Sequence, residues 1–299
     1  MKIKDSYHTY AIITILFWSM AYVLTRITLE YYSAYSLGFL RYIFASSALI
    51  VIAIIAKMSL PRKRDIKWFA LSGAIGFFIY MIVFNKGCET VSSSTSSVVI
   101  STVPIITALL ARLFLKEKLT VIKWIASVIE LMGVIILTLM NHAFSMNHGV
   151  LWLLLASLAL SFYNLLQRSL TKTYSGLQAS AFSIFFGTIM LAIFLPESIR
   201  DVKSAPPMQM IYIIILGVFS SAIAYVAWAQ AFKKAEKASY VSNYMFVTPF
   251  LASLLGFLIS NEKPDMPTII GGGVILVGVF IFNFGEKLFF RRRFDKNKA

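Results

Sequence analysis

Apolar residues along this chain gather into ten runs, near residues 9–29, 34–56, 67–87, 92–115, 120–140, 148–169, 176–196, 208–232, 238–260 and 265–286, with short polar connections between them. A helix needs about 20 mostly apolar residues to cross a bilayer core, and each run approaches or exceeds that length. Backbone groups in lipid must be satisfied within their own segment, and no run alternates as a barrel strand would. Each run therefore predicts a transmembrane helix.

Punctuation within the runs repeats. Pro104, Glu117 and Gly133 stand 13 and 16 residues apart, and Pro249, Glu262 and Gly278 repeat those intervals 145 residues later. In both sets the proline lies inside a run, the glutamate just past its end, and the glycine inside the next run. The copies divide the chain into halves, 1–143 and 144–299, of five runs each. An odd number of crossings sends the second half into the bilayer from the opposite face. The pattern thus predicts an all-α integral membrane protein of ten helices built as two inverted five-helix repeats, the architecture of many secondary transporters.

Composition agrees. The chain has 299 residues, is 59% hydrophobic and only 14% charged, with a mean hydropathy of +0.78. A soluble domain of this length could not hide so much apolar surface. The net charge of +15 reads as a topology signal. With the N-terminus cytoplasmic, inner segments hold about 21 of the 28 Lys and Arg against about four outside. Both termini are then cytoplasmic, and the host is the cell membrane. No basic surface is interleaved with exposed aromatics, so nucleic acid is not an expected partner. Cys88 is the sole cysteine and forms no internal disulfide. The first run is too long for a signal core and lacks a small-residue cleavage site, so it counts as a span.

Helical runs place Pro104 and Pro249 inside spans, where each frees a carbonyl one turn earlier, on Ile100 and Met245. Packing kinks and hinges at a cavity both fit. Ser93, Ser97 and Ser101 share one helical face, which suits close helix packing or a polar lining. Gly271, Gly272, Gly273 and Gly278 precede no Gly-Lys-Ser/Thr, so they read as close contacts, within the chain or to a second copy in a homodimer.

Few polar groups fall at membrane depth. Arg41 lies about 10 Å below the outer boundary of the second run. It could bind a carboxylate with both arms, snorkel outward, or pair with Glu30 or Glu89. Glu130 stands mid-way along the fifth run, where a carboxyl is costly and a functional candidate, for proton coupling or as a neutral packing group. Asn164, Gln167, Gln230 and Asn243 add uncharged hydrogen-bonding groups, and aromatics make up 15% of the chain.

Enzyme signatures are missing. The three histidines fall in connections or at run edges, with no His-Glu-x-x-His, paired cysteines or Gly-x-Ser-x-Gly. There is no nucleotide-binding motif. The expectation is a protein that is not an enzyme and needs neither metal nor cofactor, its partners being a small-molecule substrate and the lipid bilayer.

The motifs resemble the EamA-type branch of the drug/metabolite transporter superfamily across the chain. The likeness rests on Phe17-Trp18-Ser19, Leu40-Arg41-Tyr42, Val103-Pro104, Leu115-Lys116-Glu117-Lys118-Leu119-Thr120 and Gly133. The second half echoes it in Leu160-Ser161-Phe162-Tyr163, Thr248-Pro249, Glu262-Lys263 and Gly278. Lys116 and Asn261 stand where the family often has glycine, and no arginine in the seventh run matches Arg41. The resemblance implies alternating access about a cavity lined by the first four helices of each half. It favours Trp18, Ser19, Tyr22, Arg41, Tyr80, Ser97, Ser101, Tyr163, Asn164, Tyr225, Trp228, Asn243 and Tyr244 as cavity residues. It sets Glu130 at the periphery and makes Glu117 and Glu262 helix caps or gate contacts with nearby lysines, while the matching places of Pro104 and Pro249 in the two halves keep the hinge reading beside that of a packing kink. The leading expectation is export of amino acids or related metabolites. Import or exchange of sugars, phosphorylated metabolites or nucleotides is the alternative, and a non-transporting scaffold the reading from another class.

Overall fold

A computed structural model describes residues 6–91, 93–139, 148–260 and 266–296. Among the described residues seven helical stretches are long and apolar enough to cross a membrane. They are α1 (Tyr7–Thr28), α2 (Ala34–Ile55), α3 (Lys63–Thr90), a stretch over Ser96–Phe114, α7 (His148–Leu170), α8 (Gly176–Ser204) and α9 (Pro207–Lys234). The Ser96–Phe114 stretch belongs to two helices, α4 (Ser93–Ile100) and α5 (Val103–Phe114). Further helices are α6 (Val121–Leu139), α10 (Ala238–Ser242), α11 (Thr248–Ser260) and α12 (Met266–Lys296). The expected boundary at 143/144 and Glu262 lie outside the described residues.

Side chains set where the helices begin. Ser6 and Ser33 accept from the amides of His8 and Ser36, and Ser175 with Gln178 forms a capping box at the start of α8. Such caps satisfy amides that would otherwise be orphaned at a helix start. Outward faces carry Ile54 at 71%, Leu113 at 73% and Ile189 at 69% exposure, a surface that only lipid can solvate. The protein is a multi-pass, membrane-embedded helical bundle.

Both prolines depart from expectation in the same way. Pro104 opens α5 after a turn at Ser101 and Thr102, and Pro249 opens α11 after a 3₁₀ segment, Asn243–Val247. A proline at a helix start costs no internal hydrogen bond, which is why the chain breaks before it rather than kinking around it. The carbonyl of Met245 is not left free: it accepts from the Thr248 amide.

Two π-helical segments interrupt the long helices, Ala74–Ile79 in α3 and Leu216–Ile223 in α9. Such segments gather at functional sites. The principal contacts are α1 with α9 and α3 with α7, α2 with α9 and α3 with α8, α8 with α9 and α2 with α3, α5 with α7 and α1 with α11, and the single pairs α2 with α8 and α6 with α12.

The α6–α12 pair meets at glycines. A Cβ on Gly133 would lie 2.8 Å from the Gly271 carbonyl oxygen and from Ile275, and one on Gly278 would lie 2.4 Å from Glu130 Cγ. Gly272 faces Phe250, whereas Gly273 opens onto free space. Gly278→Val is expected to destabilise the protein by about 1–3 kcal/mol, because backbone as well as side chain must give way. Thermal unfolding in detergent, followed by fluorescence-detected size exclusion, measures the drop.

Candidate functional site

The sequence-predicted aromatics other than Tyr244 converge on one buried seam. Trp18 of α1 packs at a tilt against Tyr225 and Trp228 of α9, at ring-centroid distances of 5.0 and 4.9 Å. Tyr163 of α7 meets Tyr225 at 5.6 Å, and Phe77 of α3 sits among Tyr42, Tyr163 and Tyr225 at 5.2, 5.1 and 4.9 Å. Tyr22 and Tyr80 flank Phe84 beside this group. Tyr163, Tyr225 and Trp228 are buried to 2% exposure or less, so the rings close the seam in this conformation.

The π-helical segments supply the close approaches. Gly76 lies directly under Tyr163: an added Cβ would stand 2.1 Å from Cδ2 of that ring, so the position requires glycine. In α9 the matching segment presents Ser220 and Ser221. Trp18 Nε1 donates to the Ser220 carbonyl at 3.1 Å, and the Ser220 hydroxyl donates to the Phe17 carbonyl at 2.9 Å.

Arg41 is the one charged side chain in this layer. It is 3% exposed, and its Nε donates to the Ser221 hydroxyl at 2.6 Å. Its guanidinium carbon lies 5.9 Å from the centre of the Tyr42 ring. Neither of its two structural alternatives, snorkelling or an ion pair, is realised. Arg41 does not snorkel, and among the described residues it forms no ion pair. Glu89 is engaged by Lys86 at 3.0 Å and by the Ala34 amide at 3.2 Å. A guanidinium held by one hydroxyl keeps donors available for an incoming anion.

On the opposite flank Trp228 Nε1 donates to Asn164 Oδ1 at 2.9 Å, and Asn164 Nδ2 donates to Thr107 at 3.2 Å. The serines are structural in their visible contacts: Ser19 donates to the Ile15 carbonyl and Ser101 to the Val98 carbonyl. Ser97 is fully buried.

Two candidates point elsewhere. Asn243 donates to Glu130 Oε1 at 2.9 Å, joining α6 to the 3₁₀ segment before Pro249, while Glu130 Oε2 has no hydrogen-bond partner. Tyr244 is hydrogen-bonded to the ring of His8.

Glu117 is a cap, and its cationic partner is an arginine rather than a lysine. Both carboxylate oxygens accept from the Ala238 amide, at 3.1 and 2.9 Å, at the start of α10. Arg168, near the end of α7, approaches it at 3.8 Å and donates to the Phe232 and Glu236 carbonyls at the end of α9. Arg26, near the end of α1, makes the same kind of contact with the Cys88 and Glu89 carbonyls at the end of α3.

Sequence reasoning missed Ser220, Ser221, Phe77, Thr107 and Arg168. Adjacent serines inside an apolar run are a weak signal, and an arginine at a span end resembles any snorkelling cation. Only packing shows what they touch.

The chain belongs to the EamA-like transporter family, whose sequence pattern matches it twice, over residues 6–139 and 147–284. It is 34% identical over 266 residues to "Uncharacterized transporter YdfC" of Bacillus subtilis, covering 88% of this chain and 86% of that one. It is 27% identical over 272 residues to the "Probable terminal-alkyne amino-acid exporter" of Streptantibioticus cattleyicolor, covering 91% of each. The "S-adenosylmethionine uptake transporter" of Rickettsia bellii is 23% identical over 256 residues, covering 85% of each chain. A solved crystal structure superposes with a TM-score of 0.75 at 16% identity, covering 91% of this chain and 94% of its own, which shows a shared fold.

Proposed function

We propose that this protein exports amino acids or related carboxylate-bearing metabolites across the cell membrane by alternating access. The observation that carries the reading is Arg41, buried at the aromatic seam and left with free donors. A carboxylate would dock on the guanidinium while the substrate's apolar body and amine meet the surrounding rings, where an ammonium gains cation–π attraction. A relative named as an amino-acid exporter supports the outward direction.

The same proposal includes ten helices in two inverted repeats, 1–143 and 144–299, with both termini cytoplasmic. Three observations support it. The family pattern matches each half. The π-helical segments and the proline-led breaks recur about 145 residues apart. Helix contacts come in exchanged pairs, α1 with α9 against α7 with α3, as a pseudo-twofold axis requires. Trp18 and Tyr163, also 145 residues apart, form such an exchanged pair: Trp18 meets Tyr225 of α9, and Tyr163 meets Phe77 of α3.

Uptake of labelled amino acids into inside-out vesicles tests the function, with right-side-out vesicles separating export from import. Wild-type vesicles that move no solute from a broad metabolite panel would count against it. Tags on the two termini found on opposite membrane faces would refute the topology.

Glu130 sits outside the ring cluster yet bonds the segment that precedes Pro249, which suits a proton-linked role in moving α11. Glu130→Gln keeps a hydrogen-bonding group toward Asn243 but cannot carry a proton. Transport driven by an imposed pH gradient should fall at least tenfold, about 1.4 kcal/mol, while counterflow exchange persists. Full pH-driven transport in this variant removes the coupling role.

A further inference from the structure

Away from the seam, the start of α3 meets the turn that follows α7. There a cavity of about 310 Å³ is lined by residues including Arg64, Asp65, Trp68, Ser169, Thr173 and Tyr174. Its single carboxylate is already engaged: Asp65 accepts from the Tyr174 hydroxyl at 2.6 Å and lies 3.7 Å from Arg64 Nε. The Tyr174 oxygen in turn accepts from the Arg62 amide at 3.2 Å. The Arg64 side chain remains 75% exposed at the cavity.

The surroundings are cationic on one side and apolar on the other. Lys63 and Lys67 flank the cavity in sequence, with the Lys67 ammonium 5.5 Å from the centre of the Trp68 ring, and Lys172 is exposed in the turn just past α7. Leu60, Trp68 and Leu71 are 81%, 45% and 40% exposed, presenting apolar surface beside the charges. An indole at the junction of a basic cluster and an apolar face marks the lipid–water boundary. Basic pockets between helices at that level suit anionic head groups.

We propose that this cavity binds the head group of an anionic phospholipid. The Arg64 guanidinium and the Ser169 and Thr173 hydroxyls would take the phosphate, and the acyl chains would run along Trp68 and Leu71. The apolar wall favours a lipid over free phosphate, which would have no use for it. This site is independent of the transport reading.

The test uses the purified full-length chain in proteoliposomes containing either brominated phosphatidylglycerol or brominated phosphatidylcholine, whose chains quench nearby tryptophans. The difference between wild type and Trp68→Phe isolates the signal of Trp68. Trp152, 41% exposed on α7, serves as the reference through Trp152→Phe. Trp68 quenching should favour phosphatidylglycerol by about fivefold, the value of one basic residue near a lipid surface, with no such preference at Trp152. Arg64→Gln should bring the preference close to unity, and Lys67→Gln should lower it if Arg64→Gln does not fold. Equal quenching by both lipids, or the same preference at Trp152, overturns the proposal. Loss of the preference on adding inorganic phosphate overturns it in favour of a free-anion site.

Discussion

Arg41→Ala will lower concentrative transport by about 30- to 150-fold while leaving a folded, monodisperse protein. The side chain is 3% exposed and makes one hydrogen bond, to Ser221, so its removal takes little from the folded state. A charge at this depth is expensive, and a fold that keeps one without a carboxylate partner is one that uses it. Hydrogen bonds to a charged group contribute about 2–3 kcal/mol each at the upper end, so losing the anchor should lower transport efficiency by about 30- to 150-fold. Arg41→Lys should recover little, because an ammonium cannot hold Ser221 and both oxygens of a carboxylate in one plane. Arg112, exposed near the end of α5, supplies the control: Arg112→Ala should stay within about twofold. Initial rates of labelled amino-acid uptake into inside-out vesicles, normalised to protein recovered by size exclusion, make the comparison. Wild-type rates from Arg41→Ala would deprive the seam of its proposed role.

Much of this was legible in the residue order, for identifiable reasons. Membrane helices announce themselves because length and apolarity together are demanded by the bilayer, and α1, α2 and α7 fall close to the apolar runs that predicted them. Trp18, Tyr163, Tyr225 and Trp228 were findable as aromatics inside runs rather than at their ends, and they do meet. Arg41 was findable because nothing else charged lies so deep in its half apart from Glu130. What apolar pattern cannot carry is local backbone geometry. A π-helical segment has the same composition as an α-helical one, so the turn of extra width that brings Ser221 to Arg41 and Gly76 under Tyr163 had no sequence mark beyond the small residues themselves. The prolines gave the place of the breaks but not their form. A proline inside a run reads equally as a kink or as the first turn of a new helix, and the chain chose the second. Partner identity was hidden for a third reason. Asn243 was a sound polar candidate, yet which neighbour it faces depends on helix rotation, and the rotation turns it to Glu130.

The Glu117–Arg168 contact is expected to act as a latch whose loss opens one face of the bundle. Glu117 ties the loop after α5 to the first amide of α10, and Arg168 ties the end of α7 to the last carbonyls of α9. Four helix ends are thus joined through two side chains that are only 12% and 15% exposed. The contacts belong to chain ends that must separate if the seam is to open on that side. Removing the carboxylate strands a capped amide and a partly buried guanidinium, a loss of about 2 kcal/mol from the closed arrangement. That shifts the balance between closed and open forms by about thirtyfold. Ala235 is 4% exposed and lies between the latched carbonyls, so a cysteine there reports the opening. In a Cys88→Ser, Ala235→Cys background, Glu117→Ala should raise the rate of labelling by a membrane-impermeant maleimide about thirtyfold. Arg168→Gln should do the same, and the double variant should add little, because the two side chains work as one unit. Labelling that stays at the background rate in both single variants would make the pair a static cap and move the gate elsewhere. The Arg26 contacts at the end of α3 offer the corresponding test on the other end of the bundle. If each arginine latches one face, Arg26→Gln should leave labelling at Ala235→Cys unchanged or slower, since weakening one closed face favours closure of the other.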